Sequence, residues 1–275
     1  MRYNGRVFDN HFHLNYDGDF LRSTDIFIKA GGNAINLTNL PRKIDRNDYY
    51  KNLYENTIMM AERIRKERHI EVIVTIGPYP LDYFYFRDHG MDAEKIIRDA
   101  IVLAEKYIED GKADALGEIG LPHFPVESPV LSIFYRLLEF AFSVDSDMKN
   151  PVILHTHDLS REDYSRIDEL SRRYGLSGLI IKHHALALDL MMENDVWKSI
   201  PATKKNVREA ISSKRKFMLE TDFVDDPNNA NRYLPADSVP KRKKMIEQEY
   251  DDADDILSTI FEEVPEKIYA GLRHG

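Results

Sequence analysis

Apolar and β-branched runs recur eight times along the chain and predict eight buried strands. The runs are GRVFDNHFHL, NAINLTNL, IEVIVTIG, ADALGEIGL, PVILHTH, SGLIIKHHA, DVWKSIPA and KFMLETDF. Most are separated by segments with the length and period of amphipathic helices, such as DAEKIIRDAIVLAEKYIEDG and REDYSRIDELSRRYG. Helix-boundary signals agree with this pattern. Predicted N-caps are Asp92, Ser160 and Thr203, and predicted helix ends are Gly111 and Gly175.

Strands that alternate with crossovers too long for hairpins predict parallel pairing. Eight such repeats over 275 residues predict an α/β protein of the (β/α)8, TIM-type barrel class, with parallel strands and outer helices. A doubly wound open sheet is the alternative, but no G-x-G-x-x-G follows the first strand and no P-loop sequence occurs. No low-complexity linker divides the chain, so we expect residues 1–275 to form a single domain.

Composition and charge limit the kind of protein that this sequence can encode and the ligands that a metal site could use. The chain is 43% hydrophobic and 31% charged, which is typical of a globular protein. The first ten residues lack the apolar region of a signal peptide, and the most apolar helix-length segment contains Arg136 and Glu139, so we expect a cytoplasmic protein with no membrane span. Because cysteine is absent, any metal site must use nitrogen and oxygen ligands. The net charge of −9 argues against broad electrostatic capture of nucleic acid.

Residues that can bind metals fall at the carboxyl ends of five predicted strands, where TIM barrels carry their active sites. They are His11 and His13, Glu118, His155 and His157, His183 and His184, and Glu220 and Asp222. Alternate side chains of a strand share a face, so His11 and His13 should project together with Asp9 beneath them. Buried unpaired polar groups cost several kcal/mol, and a metal site therefore explains the pattern better than packing does.

Four segments in order resemble the motifs of the TatD-like metal-dependent hydrolases of the amidohydrolase superfamily. FDNHFHL is similar to the first-strand H-x-H of that family, and GEIGLP to its G-E-I-G-L motif. PVILHTHD is similar to its fifth-strand P-V-x-x-H, and LETD to its closing E-T-D. Each motif is weak alone, but the four together run over essentially the whole chain.

The resemblance implies a binuclear centre with six ligands: His11, His13 and Asp222 at one ion, His155 and His183 at the other, and Glu118 bridging the two. At the sixth strand the family has one histidine and this chain has two. Ile181 and His183 share a strand face, so we choose His183 over His184. Four histidines favour zinc, with manganese or magnesium as alternatives. Glu118 and Asp222 are the expected catalytic residues.

Further residues are expected around the ligands. Glu220 should lie one layer below Asp222 and orient a ligand. His157 is expected either to contact the substrate or to orient a ligand, and Arg232 is a candidate contact for an anionic group. Asp9 has two equally weighted interpretations, one orienting a ligand and one making a plain structural hydrogen bond.

Two departures from the family concern the substrate. Tyr79, in IGPYP, stands where the G-x-H-P motif of the family has its histidine. Thr156, His157 and Asp158 replace the usual Ser-Arg-Asp. Because only arginine offers a bidentate fork to phosphate, the second departure weakens the nuclease interpretation and leaves hydrolysis intact.

The sequence therefore predicts a hydrolase that uses metal-activated water, with phosphodiester hydrolysis of the TatD-like deoxyribonuclease type as the first hypothesis. The expected substrate is a small-molecule or nucleic-acid phosphoester. One alternative is an amidohydrolase-type enzyme acting on a small lactone, amide or phosphoester. The other is a non-catalytic metal-binding barrel.

Overall fold

Nine parallel strands form the central sheet of the protein. The computed structural model describes residues 3–44, 48–226, 234–269 and 272. The strands are β1 Phe8–His13, β2 Ala34–Thr38, β3 Glu71–Ile76, β4 Ala115–Gly120, β5 Val152–His155, β6 Ile180–Lys182, β7 Trp197–Pro201, β8 Met218–Glu220 and β9 Phe223–Val224. Their order is β8-β7-β6-β5-β4-β3-β2-β1-β9. All eight predicted strands are confirmed, with the eighth in two pieces.

Helices surround the sheet. They are α1 Phe20–Ala30, α2 Tyr49–Arg68, α3 Asp82–Asp88, α4 Ala93–Glu109, α5 Ser128–Asp145, α6 Arg161–Arg173, α7 Lys204–Ser212, α8 Ser238–Glu249, α9 Ala253–Ser258 and α10 Val264–Ile268. A 3-10 turn, Ala187–Met191, lies between β6 and β7, and a π-helical turn, Thr259–Glu263, joins α9 to α10. The predicted N-caps Asp92, Ser160 and Thr203 each accept a backbone hydrogen bond. Within the described ranges, no helix is both long and apolar enough to cross a membrane.

The interrupted eighth strand closes the barrel. Its first piece, β8, pairs with β7, and its second piece, β9, pairs with β1. Thr221 and Asp222 separate the pieces, and Asp222 has a left-handed backbone with φ of 49°. The fold is thus the TIM-type (β/α)8 barrel that the sequence predicts, with its seam at Asp222.

A layer of apolar side chains lies two residues before the polar ends of several strands. Ile73, Ile153, Ile181 and Met218 are almost completely buried and belong to one apolar cluster. Each precedes a polar residue of its own chain segment by two positions, as Ile153 precedes His155. Side chains two residues apart share a strand face. The polar side chains at the carboxyl ends of these strands therefore lie directly above a layer of packed apolar side chains.

Candidate metal centre

Two histidines and two carboxylates from the first, fourth and eighth strands form the first group of donors. His11 Nε2 lies 3.1 Å from His13 Nε2 and 2.5 Å from Glu118 Oε1. His13 Nε2 lies 3.2 Å from the same Glu118 oxygen. Asp222 Oδ1 is 3.9 Å from His11 Nε2 and 3.6 Å from His13 Nε2. These four residues offer donor atoms that lie within 4.8 Å of one another.

A second group of donors stands on the other side of Glu118. His155 Nδ1 lies 3.0 Å from His183 Nε2 and 3.1 Å from Glu118 Oε2. His183 Nε2 is 3.9 Å from Glu118 Oε1. The two oxygens of Glu118 therefore face different histidines, with Oε1 toward the first group and Oε2 toward His155. The structure brings together all six residues that the resemblance implies as ligands.

The donor atoms fit divalent cations. Two donors bound tetrahedrally to one ion at about 2.0–2.1 Å lie about 3.3 Å apart, and the separations within the groups run from 2.5 to 3.9 Å. His13 Nδ1 lies 3.1 Å from the carbonyl oxygen of Thr38, which can only accept a hydrogen bond. In the neutral ring the hydrogen is therefore on Nδ1, which leaves the Nε2 lone pair directed into the first group. This is the tautomer that a metal ligand requires.

Glycine at position 117 lets Glu118 enter the barrel. Gly117 has φ of 156°, and a Cβ built there would come within 2.8 Å of Ile153 Cβ and Ile153 O. A larger residue would therefore push β4 away from β5. The register between these strands shifts between Leu116 and Ile119, and the Gly117–Glu118 peptide bond is cis. A glycine in the G-E-I-G-L motif thus has a direct steric explanation.

Asp9 fastens the first strand to the break in the eighth. Its Oδ1 accepts hydrogen bonds from Thr221 N at 2.9 Å and His11 N at 3.3 Å, and its Oδ2 accepts one from the Thr221 hydroxyl at 2.7 Å. Burial raises the pKa of Asp9 to about 7, although these hydrogen bonds oppose the shift. Asp9 thereby holds the backbone on both sides of the first group, including the turn that presents Asp222.

Glu220 is buried beneath the donors, as the strand periodicity predicts. It is 0% exposed, whereas the Asp222 side chain is 21% exposed. Glu220 Oε1 accepts a hydrogen bond from His184 N at 2.6 Å and lies 3.7 Å from His183 Nδ1. The carboxylate therefore supports the backbone next to His183. His184 itself is exposed, with φ of 53°, and His183 is the histidine that enters the cluster.

The electrostatics of the cluster keep its carboxylates ionised. Burial would raise the pKa of Glu118, but attraction to His183 and His11 and hydrogen bonds from His11 and His13 hold it well below its usual range. Burial likewise opposes ionisation of Asp222, and the hydrogen bond from His13 with the nearby imidazoles lowers its pKa to about 2. Hydrogen bonds to Asp222 and Glu118 outweigh burial and raise the pKa of His13 to about 10. Cations that bind here would displace imidazole protons.

The remaining predicted site residues lie at the margin. Tyr79 is half-buried, with its hydroxyl 3.5 Å from His155 Nε2. His157 Nδ1 lies 3.2 Å from the carbonyl oxygen of Pro122, and Nε2 lies 3.7 Å from Asp163, so its nitrogens do not face the donors. Arg232 falls outside the described residues.

His123 contacts the cluster and was missed from the sequence. Its Nδ1 lies 2.9 Å from His155 Nε2. It follows the G-E-I-G-L motif by two positions and lies past the end of β4, so strand periodicity does not include it. The sequence feature that could have identified His123 is its position in the loop at the carboxyl end of a predicted strand, where TIM barrels concentrate functional residues.

Comparison with known proteins identifies the family of the chain. An uncharacterised protein of Methanocaldococcus jannaschii is 25% identical over 96% of this chain and 95% of its own length. A solved TatD homologue from Escherichia coli has a TM-score of 0.66 and 17% identity, covering 96% of this chain and 97% of its own. A solved phosphotriesterase-like lactonase variant from Deinococcus radiodurans has a TM-score of 0.62 and 15% identity, covering 98% of both chains. The pattern of the TatD-related DNases matches residues 8–270, and the chain belongs to that family.

Proposed function

We propose that this protein, a metal-dependent hydrolase by family, cleaves phosphodiesters at two divalent ions held by the six clustered residues. The observation that carries the proposal is the division of the Glu118 carboxylate. One oxygen lies within 3.2 Å of two imidazole nitrogens, and the other lies 3.1 Å from a third. A carboxylate shared in this way could bridge two divalent ions, the arrangement that two-metal hydrolases use.

Each group of residues has a distinct part in the reaction. The six clustered residues would hold two divalent ions, whose Lewis acidity would make water nucleophilic near neutral pH and stabilise negative charge on the leaving group. Asp222 stands at the mouth with its side chain 21% exposed and is ionised at neutral pH, so it is placed to accept the proton of the attacking water. Glu118 holds both halves of the centre in register. No acyl-enzyme nucleophile is needed, in keeping with the absence of cysteine and of a G-x-S-x-G segment.

The donor set favours zinc. Four of the six clustered residues are histidines, and neutral imidazole suits zinc better than it suits magnesium. Manganese and magnesium are the alternatives, because two carboxylates complete the set. Both groups share Glu118, but the first group contains a second carboxylate, Asp222, and the second group does not. The two ions should therefore differ in affinity.

Membership of the TatD-related DNases supports a nucleic-acid phosphodiester as substrate. A second candidate is a small phosphoester or lactone. Two observations favour it: His157 occupies a position where an arginine would offer a phosphate fork, and a phosphotriesterase-like lactonase shares the fold. His157 instead turns toward Pro122 and Asp163.

Metal content and substrate choice test the proposal together. Protein purified without added metal, and again after reconstitution with zinc, is analysed for metal per chain. The same samples are then offered single- and double-stranded DNA, an aryl phosphodiester and a small lactone. Close to two ions per chain with DNA cleavage supports the nuclease function. Two ions with turnover of the lactone alone supports the second candidate, and no binding after reconstitution contradicts both.

Asp222→Asn tests the catalytic assignment. Removing a positioned proton acceptor is expected to lower turnover by about 10²–10⁴-fold, while circular dichroism and the melting temperature stay close to those of the wild type. His184→Asn is the matched control, since His184 is an exposed neighbour of a proposed ligand. An Asp222→Asn protein that retains turnover, or that loses its structure, contradicts the catalytic role.

A further inference from the structure

His155 uses its two ring nitrogens in different directions. Nδ1 points into the second group, 3.1 Å from Glu118 Oε2 and 3.0 Å from His183 Nε2. Nε2 points away from the cluster and lies 2.9 Å from His123 Nδ1. If Nδ1 binds an ion, the ring hydrogen must be on Nε2, and that hydrogen needs an acceptor.

Among the residues that the structure describes, two lie close enough to accept this hydrogen. His123 Nδ1 is at 2.9 Å, inside the usual range of hydrogen bonds, whereas the Tyr79 hydroxyl oxygen is at 3.5 Å, at its outer limit. The His123 and His155 rings are 5.2 Å apart at an interplanar angle of 70°, so the nitrogen lone pair of one can meet the edge of the other. The shorter contact identifies His123 as the principal acceptor.

The loop that carries His123 is attached on both sides. The carbonyl oxygen of the preceding residue, Pro122, lies 3.2 Å from His157 Nδ1. On the other side, the ring of Phe124 lies 5.5 Å from the ring of Phe84 in α3. These contacts place the His123 imidazole without any contribution from a cation. They also give His157 a role in the loop rather than at the ions.

We propose that His123 is a positioning residue for the second ion: it accepts the Nε2 hydrogen of His155 and so holds that ring with Nδ1 directed into the second group. The inference rests on the proposed binuclear function and adds a residue to it. His123 binds no ion itself. His123 contacts His155, which belongs to the second group, so the effect should be confined to one of the two ions.

Three variants separate this role from a general structural one. His123→Phe keeps a planar ring and removes the acceptor. His123→Asn restores an acceptor, because Asn Oδ1 and His Nδ1 are both bonded to Cγ. His184→Asn is the control, because His184 also neighbours a proposed ligand but its ring centroid is 6.1 Å from that of His183. Asparagine also tolerates the left-handed backbone found at position 184.

The measurement is a titration of each metal-free protein with zinc in competition with a chelating indicator. His123→Phe should weaken binding of one of the two ions by about 10–100-fold and leave the other unchanged. His123→Asn should recover most of the loss, and His184→Asn should bind as the wild type does. In the proton NMR spectrum of the zinc-loaded protein, the exchange-protected ring N–H of His155 should be lost in His123→Phe and retained in His123→Asn.

The outcomes are distinguishable from those of the proposed function. A wild-type protein that binds two ions, with a His123→Phe variant that binds both equally well, overturns this inference alone. Loss of both ions in His123→Phe, or failure of His123→Asn to recover the second, also overturns it by indicating structural damage. A wild-type protein that never binds two ions contradicts the binuclear function and this inference with it.

Discussion

Two buried glutamates of this protein have opposite protonation behaviour. Glu118 is 5% exposed and Glu105, in α4, is 3% exposed. Burial would raise the pKa of both. Glu118 faces imidazoles, which hold its pKa well below the usual range, whereas burial and the neighbouring carboxyl of Asp145 raise the pKa of Glu105 to about 8. The partners of a buried carboxyl group, rather than its depth, indicate whether it serves a cation site.

The Glu105 and Asp145 pair has the features of a structural element. Asp145 Oδ1 accepts hydrogen bonds from Asn150 N at 3.1 Å and Asn150 Nδ2 at 2.7 Å, which anchors the chain after α5. Two buried carboxyl groups side by side retain a proton between them at neutral pH. No imidazole is among the groups that shift their pKa values.

The largest effect is expected for Glu118→Gln. The amide is neutral and offers only one acceptor oxygen, so it cannot bridge two cations. We expect metal content to fall from about two ions per chain to below one, with turnover lowered by at least about 10³-fold. Elemental analysis and a turnover assay on the same sample are the measurements. A variant that keeps both ions would show that Glu118 does not bridge them.

A smaller effect, on stability alone, is expected for Glu105→Gln. In the wild type the native pKa of Glu105 is about 8 and the reference value is 4.5, so the native state binds the proton more tightly than the unfolded state does. The stabilisation that Glu105 contributes is therefore fully present below about pH 4.5. The free energy of unfolding then falls as pH rises toward about 8. The variant should lack the part of this decline that Glu105 contributes and gain on the order of 2 kcal/mol over the wild type at pH 8. The part that comes from Asp145, whose pKa burial raises to about 7, should remain.

Urea denaturation at pH 5 and pH 8 measures the difference. Glu109→Gln is the matched control, because Glu109 is an exposed glutamate of the same helix. Metal content and turnover of Glu105→Gln should equal those of the wild type. If the variant lost metal, or if its stability fell with pH as steeply as that of the wild type, the contrast between the two glutamates would fail.

Among these variants, Asp9→Asn should have the smallest effect. The surroundings of Asp9 are intermediate between those of Glu118 and those of Glu105. Asp9 is buried next to the cluster, yet it accepts hydrogen bonds from Thr221 and His11 N rather than pairing with a cation. Asparagine keeps one acceptor oxygen and the shape of the side chain, so we expect a loss of about 1 kcal/mol in the free energy of unfolding. Two ions per chain should remain. Loss of the first ion would instead make Asp9 part of the metal centre.

The barrel and its polar rim could be predicted from the sequence because both follow from short periodicities. Eight apolar runs were separated by helical segments, and metal-competent residues stood at the strand ends. Strand alternation also favours His183 over His184, and His183 is the histidine that lies in the cluster. The ligand roles of the clustered residues stay predictions until metal binding is measured.

Features that depend on tertiary contacts could not be predicted. The break at Asp222 requires a left-handed backbone that is stabilised by Asp9, a residue distant in the sequence. Between β6 and β7 the chain forms only the 3-10 turn Ala187–Met191 among its regular elements. His123 lies beyond its strand, so its contact with His155 depends on how the loop packs.

The seam of the barrel has a consequence for biosynthesis. Asp9 and Thr221 are 212 residues apart in the sequence, and their hydrogen bonds join the first strand to the turn that presents Asp222. Chains emerge from the ribosome with the amino terminus first. The histidines of the first strand are therefore synthesised long before the aspartate that completes their group. If these four residues hold an ion as proposed, a growing chain can bind it through all four donors only after its eighth strand has emerged, so full metal loading would follow synthesis of the barrel.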